Sequence, residues 1–239
     1  MNLELLRLEG ERNPVAALVY HPKRPRNVSI VAGHGYSSSK HNLDFLCNFL
    51  ASHGFAVYNL DFPGHKLGAS GGTLSCVEDL IDAMTTVARH ARETAAGPLY
   101  YMGHSMGAMT AILTAAQDPG AGGIVAITTG FGRPSGIAIL QSKGAVDFRS
   151  AYVNGVTLPE LVGQIDDERF GQALASLAGK PQLYIAADRD AMVSVRSVEI
   201  LYARASEPKT FAGISSDHTF AADNARGEVL AWLTRLHPR

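Results

Sequence analysis

The chain has 239 residues, of which 46% are hydrophobic and 18% charged, enough for one sizeable core and too apolar for a disordered chain. Its 21 basic and 22 acidic residues are well mixed and leave a net charge of −1, which excludes an electrostatic platform for nucleic acid. No apolar run approaches the roughly 18 residues needed to cross a bilayer. The N-terminus, Met1 to Arg7, lacks a signal-peptide pattern, so a cytoplasmic protein without a membrane span is expected.

Short apolar runs alternate with helical patterns along the chain, which predicts a mostly parallel sheet with helices on both faces. Leu3 to Glu9 and Pro14 to His21 read as an opening antiparallel pair. His21 to Arg26, a basic cluster holding two prolines, reads as a solvated turn. Val28 to Ala32 is a buried strand running into Gly33-His34-Gly35. Leu43, Leu46 and Leu50, with Phe45 and Phe49 beside them, line a helix that Gly54 stops, and Phe55 to Leu60 is the next strand.

After a loop rich in glycine and serine, Ser75-Cys76-Val77-Glu78 reads as a capping box. The helix it opens carries Val77, Leu80, Ile81, Met84, Val87, Ala88 and Ala91 at helical spacing. Leu99 to Met102 and Ile124 to Ile127 are strands, and Ala108 to Ala116 is a helix of small residues. Residues 131 to 180 show no strand pattern, only helical fragments around 158–165 and 170–177. That stretch reads as a short lid insertion within a single domain spanning 1–239. Strands at 182–187 and 209–214, a helix at 194–204 and a closing helix around Val229 to Leu236 complete the array. Cys47 and Cys76 both fall on helical patterns and read as free thiols, too few and too far apart for a zinc motif.

Gly103-His104-Ser105-Met106-Gly107 lies between a strand and a helix, the setting a G-x-S-x-G elbow requires. A serine on so tight a turn adopts a strained backbone, and small neighbours let strand and helix approach. Ser105 is therefore the candidate nucleophile. A serine hydroxyl needs a base, and His218 fits, because it follows the last strand and so lies at the sheet edge where Ser105 is displayed. The third group should be a carboxylate between them in the chain, at a strand end. Asp188 and Asp190 both qualify, whereas Asp217 is too close along the chain to turn toward His218. The oxyanion of acyl transfer needs amide donors. Met106, directly after Ser105, supplies one and Tyr36, in the glycine turn after Ala32, the other; both are also candidates to touch substrate.

On these motifs, together with His34-Gly35-Tyr36-Ser37-Ser38-Ser39-Lys40 and Asp61-Phe62-Pro63-Gly64-His65, the chain resembles the α/β-hydrolase superfamily over nearly its whole length. The likeness is to the serine-esterase branch that includes monoacylglycerol lipase-like, feruloyl esterase-like and serine aminopeptidase-like hydrolases. It implies an α/β-hydrolase fold and carboxylic ester hydrolysis through an acyl-enzyme, with no cofactor and no metal. It selects Asp190 as the acid, from the Asp-x-x-Val pattern, and makes Asp61 a turn-stabilising residue. Ser194 departs from the proline common after that acid loop, and the short insertion argues against a deep lipase tunnel. The expected partner is a small-molecule ester; oligomeric state is unreadable. Thioester, amide or C–C bond hydrolysis on the same three residues is the alternative, and a non-catalytic binding role a further one. Phe131, Ile137, Leu140 and Phe148 are apolar candidates for the pocket wall.

Overall fold

Period-two alternation organises the molecule, because successive strand residues point to opposite faces of the sheet. The structure, a computed structural model, describes residues 1–130 and 142–238. Among them eight strands form one sheet: β1 (Asn2–Glu9), β2 (Pro14–His21), β3 (Ser29–Gly33), β4 (Ala56–Leu60), β5 (Leu99–His104), β6 (Ala121–Ile127), β7 (Gln182–Ala187) and β8 (Lys209–Ile214). Their spatial order is β1-β2-β4-β3-β5-β6-β7-β8. The pairs β1–β2 and β2–β4 are antiparallel, and from β4 to β8 the sheet is parallel.

The described helices are α1 (Asp44–Ser52), α2 (Val77–Thr94), α3 (Met106–Gln117), α4 (Lys143–Ser150), α5 (Leu158–Gly163), α6 (Asp167–Ser176), α7 (Val195–Arg204), α8 (Ala221–Asn224) and α9 (Arg226–Leu236). On one face Ile30, Val57, Met102, Val125, Ile127 and Ile185 pack against Leu46 and Leu50 of α1 and Val229, Trp232 and Leu233 of α9. On the other, Val31, Tyr58, Tyr101, Ile124 and Tyr184 meet Leu80 and Met84 of α2, Ile112 of α3 and Val198 and Leu201 of α7. Two buried faces explain why these strands read as continuous apolar runs.

The start of α2 corrects one expectation. The cap is Cys76, not Ser75, and the carboxylate is Asp79, which accepts from the amides of Ser75 (2.6 Å) and Cys76 (2.9 Å). Asp79 also pairs with Arg12 at 2.7 Å, so the long-range ion pair and the cap share one side chain. The basic turn is likewise more engaged than its composition implies. Arg26 donates to the carbonyls of His53 and His237, at 2.9 and 2.7 Å, and lies over Phe55. Both cysteines are free, Cys47 buried in α1.

The described part of the insertion adds α4, α5 and α6, of which α4 was not foreseen because none of its residues is buried. Between α4 and α5 the chain forms a strap tied to the loop after β4. Backbone hydrogen bonds run from Lys66 to Tyr152 (2.9 Å), Asn154 to Gly64 (2.7 Å), Leu74 to Asn154 (2.9 Å) and Val156 to Leu74 (2.8 Å). The Tyr36 hydroxyl donates to Val156 O at 2.9 Å and ties the strap to the loop after β3. Phe131, Ile137 and Leu140 lie outside the described residues. Phe148 is 66% exposed, so it is no part of a buried wall.

Candidate active site

Because β3, β5, β7 and β8 are parallel, the loops at their C-terminal ends share one edge of the sheet. β5 ends at His104, Ser105 follows, and α3 begins at Met106. Ser105 sits at φ 55°, ψ −117°, a left-handed conformation rare for a side-chain-bearing residue and a marker of stored strain. Its amide donates to Ile127 O at 2.9 Å, and its carbonyl accepts from Ala108 and Met109 at 3.0 and 3.1 Å. The elbow needs its glycines. A Cβ on Gly103 would stand 2.1 Å from the Gly107 carbonyl carbon, and one on Gly107 would stand 2.1 Å from Gly33 O.

After β7, the turn Asp188 to Val193 presents two carboxylates, and they part company. Asp190 Oδ2 accepts from His218 Nδ1 at 2.7 Å, with the Asp190 side chain fully buried and that of His218 12% exposed. Asp190 Oδ1 accepts from the amides of Met192 (2.7 Å) and Val193 (2.8 Å). Burial pushes this carboxyl up, but the His218 hydrogen bond and charge, with the two amides, outweigh it and hold the group below the ordinary range. Asp188 instead accepts from the Ser216 amide at 3.0 Å and lies 3.6 Å from Arg189. Asp217 caps the following turn through Phe220 N. Ser194, which stands in place of the common proline, N-caps α7 through Ser197 N at 3.2 Å.

His218 is brought to the elbow itself, since its ring centroid lies 4.7 Å from that of His104, the neighbour of Ser105. Burial first, and the His218 charge second, push His104 down to about 3, so it stays neutral. Ser105 Oγ makes no hydrogen bond among the described residues, which leaves the hydroxyl free to rotate. The loop after β3 closes over the same point: a Cβ on Gly35 would stand 3.5 Å from Ser105 Cβ. The amides of Tyr36 and Met106 donate to no acceptor among the described residues, and Met106 is the first residue of α3.

What holds that loop was only partly legible beforehand. Lys40 reaches Asp61 with both its amide (2.8 Å) and its ammonium (2.5 Å), and the Ala69 amide adds a third donor at 2.8 Å. The side chains are 6% and 0% exposed. Burial pushes the Asp61 carboxyl up, but the Lys40 ammonium and the amides outweigh it and hold it below the ordinary range. His34 donates from Nδ1 to Gly35 O (2.8 Å) and accepts at Nε2 from Phe62 N (3.0 Å). That ring must therefore be neutral, and burial with the neighbouring His65 charge pushes it down to about 3.

An Asp61→Asn variant strands a buried ammonium and is expected to lose about 3–5 kcal/mol of stability, read by chemical denaturation. Replacing both partners together, Lys40→Met with Asp61→Leu, is expected to cost less than the single change. Since the folded carboxyl is held low, its contribution is fully present above the usual carboxylate range and fades as pH falls through its folded value. The wild-type advantage over Asp61→Asn should accordingly shrink in acid.

A mostly parallel sheet wrapped on both faces, with a strained serine turn after its fifth strand, is an α/β-hydrolase fold. Residues 24–161, more than half of the chain, match the serine aminopeptidase S33 family, and the chain belongs to that family of α/β serine hydrolases. In three dimensions it is similar to the Pyrococcus furiosus esterase Pf2001, at 19% identity over 99% of this chain and 91% of the other, with a TM-score of 0.79. It is also similar to an α/β serine hydrolase without lid from Xanthomonas campestris, at 18% identity over 100% and 97% of the two chains, TM-score 0.71. Est1E of Butyrivibrio proteoclasticus is 13% identical over 97% and 98%, TM-score 0.71. At these identities the likeness establishes the fold. No curated protein matches the chain by sequence. Among the described residues no helix is long and apolar enough to cross a membrane.

Proposed function

We propose that the protein is a serine carboxylesterase that cleaves small to medium esters through an acyl-enzyme on Ser105. The observation that carries the reading is the 2.7 Å bond from His218 Nδ1 to buried Asp190, formed beside a serine held at positive φ. With Nδ1 donating to Asp190, Nε2 is the basic nitrogen, and it takes the Ser105 proton as Oγ attacks the ester carbonyl. The amides of Met106 and Tyr36 receive the oxyanion. His218 then returns the proton to the leaving alcohol. Water repeats the sequence on the acyl-enzyme, and Asp190 stabilises the imidazolium in both halves. No step calls on a metal or organic cofactor. Residues 142–180 form a small cover over this edge, an assignment supported by the strap bound to Tyr36.

Hydrolysis of p-nitrophenyl esters from acetate to palmitate tests the proposal, with an acyl thioester and an aminoacyl anilide run beside them. Activity is expected to peak at short acyl chains and fall steeply toward palmitate, because the cover is short. Turnover of the thioester or the anilide alone would transfer the same machinery to another reaction and refute the esterase reading.

A further inference from the structure

The end of α4 spans the sheet edge between the two loops that flank Ser105. Arg149 donates from Nη2 to Met192 Sδ at 3.2 Å, two residues after Asp190. Ser150, next in the chain, leads into the strap whose Val156 carbonyl accepts from the Tyr36 hydroxyl at 2.9 Å, on the other side of the site, and Ser150 Oγ is shielded from solvent without a hydrogen bond among the described residues. Arg149 is half-buried, and its one partner among the described residues is a thioether, a weak acceptor for a five-donor guanidinium. Burial lowers the guanidinium from its usual value with no carboxylate acting against it.

The neighbouring acids are committed elsewhere. Asp147 of α4 pairs with Lys143 at 2.9 Å, Asp190 with His218, Asp188 with the Ser216 amide, and Glu160 with Thr157. Residues 131–141 contain neither Asp nor Glu. A half-buried guanidinium with no counter-ion among the described residues keeps donors free for a bound anion.

We propose that Arg149 is a specificity-determining residue that binds an anionic group, a carboxylate or a phosphate, on the ester substrate. The guanidinium fork matches either oxyanion in bidentate geometry. This inference rests on the esterase reading and narrows it to esters that carry a negative charge.

Matched ester pairs, followed by proton release, test it: monomethyl adipate against methyl hexanoate for an acyl-side carboxylate, 4-acetoxybenzoate against 4-methylphenyl acetate for an alcohol-side one, and 1-acetylglycerol 3-phosphate against 1-acetylglycerol for a phosphate. Wild type is expected to favour the anionic member of at least one pair by about tenfold or more in kcat/KM, mainly through KM. In Arg149→Met that ratio should fall to about one, with Arg149→Lys between them. Each ratio is taken within one protein, so a partly unfolded variant does not distort it. Wild type without a charge preference, or a preference that survives Arg149→Met, overturns the assignment and leaves the esterase reading standing. Cleavage of p-nitrophenyl esters with no turnover of any of the six overturns the assignment alone, and no turnover of either set refutes the esterase reading and this inference with it.

Discussion

Replacing Ser105 by alanine is expected to cut ester turnover by about 10⁴–10⁶-fold while the protein stays folded. In the proposed mechanism the loss is large because attack, proton transfer and acyl-enzyme formation all pass through Oγ, and the amides of Tyr36 and Met106 proposed as oxyanion donors act only once an attack has produced one. The fold should survive because the Ser105 side chain makes no hydrogen bond among the described residues. What the position contributes structurally is backbone, namely its amide to Ile127 O and its carbonyl to Ala108 and Met109, and alanine keeps all three. The strain at φ 55° is shared by both side chains, so the stability change should stay within about 1 kcal/mol. Steady-state rates beside a thermal melt check both halves. Turnover near the wild-type rate in a folded Ser105→Ala protein would remove Ser105 from the mechanism altogether.

The parts of this site that were legible in the sequence are those written locally. G-x-S-x-G between a strand and a helix is a steric requirement, visible as glycines at the two places where strand and helix backbones nearly touch. His218 was legible because a strand run and a helix pattern bracket it. The parallel strands themselves stood out as apolar runs because both of their faces are covered. Asp190 was separable from Asp188 only through family likeness, since both carboxylates occupy one turn and the choice rests on which faces a residue 28 positions away.

Other features rest on distant pairings that no local pattern announces. The strap is defined by bonds between residues near 64–75 and near 151–157, and Lys40 finds its buried carboxylate 21 residues on. The cap of α2 was misplaced by one residue because serine is the stronger capping signal, while the carboxylate that receives the amides is fixed by Arg12, 67 positions away. Helix α4 escaped notice because its residues are exposed or half-buried, so it lacks the apolar stripe on which helix recognition depends. The residue that we assign to substrate charge therefore lies on the element with the weakest signal.

The two carboxylates of the β7 turn offer the sharpest internal comparison. Asp190→Asn is expected to lower kcat by about 10³–10⁴-fold, because an amide can offer its NH₂ to Nδ1 and so favours the tautomer that leaves the proton on Nε2. That nitrogen then cannot accept from Ser105, and no buried charge remains to stabilise an imidazolium. Asp188→Asn should change kcat by less than about tenfold, since an asparagine oxygen still accepts from Ser216 N and the exposed contact with Arg189 contributes little. Nuclear magnetic resonance of the His218 ring nitrogens provides a second readout: the Asp190 variant should move the proton from Nδ1 to Nε2, and the Asp188 variant should leave it in place. The reverse ranking of the two variants would make Asp188 the orienting acid and require the β7 turn to rearrange when substrate binds. Equal, small effects would mean that His218 works without a carboxylate, at odds with the one buried, fully hydrogen-bonded acid that faces it.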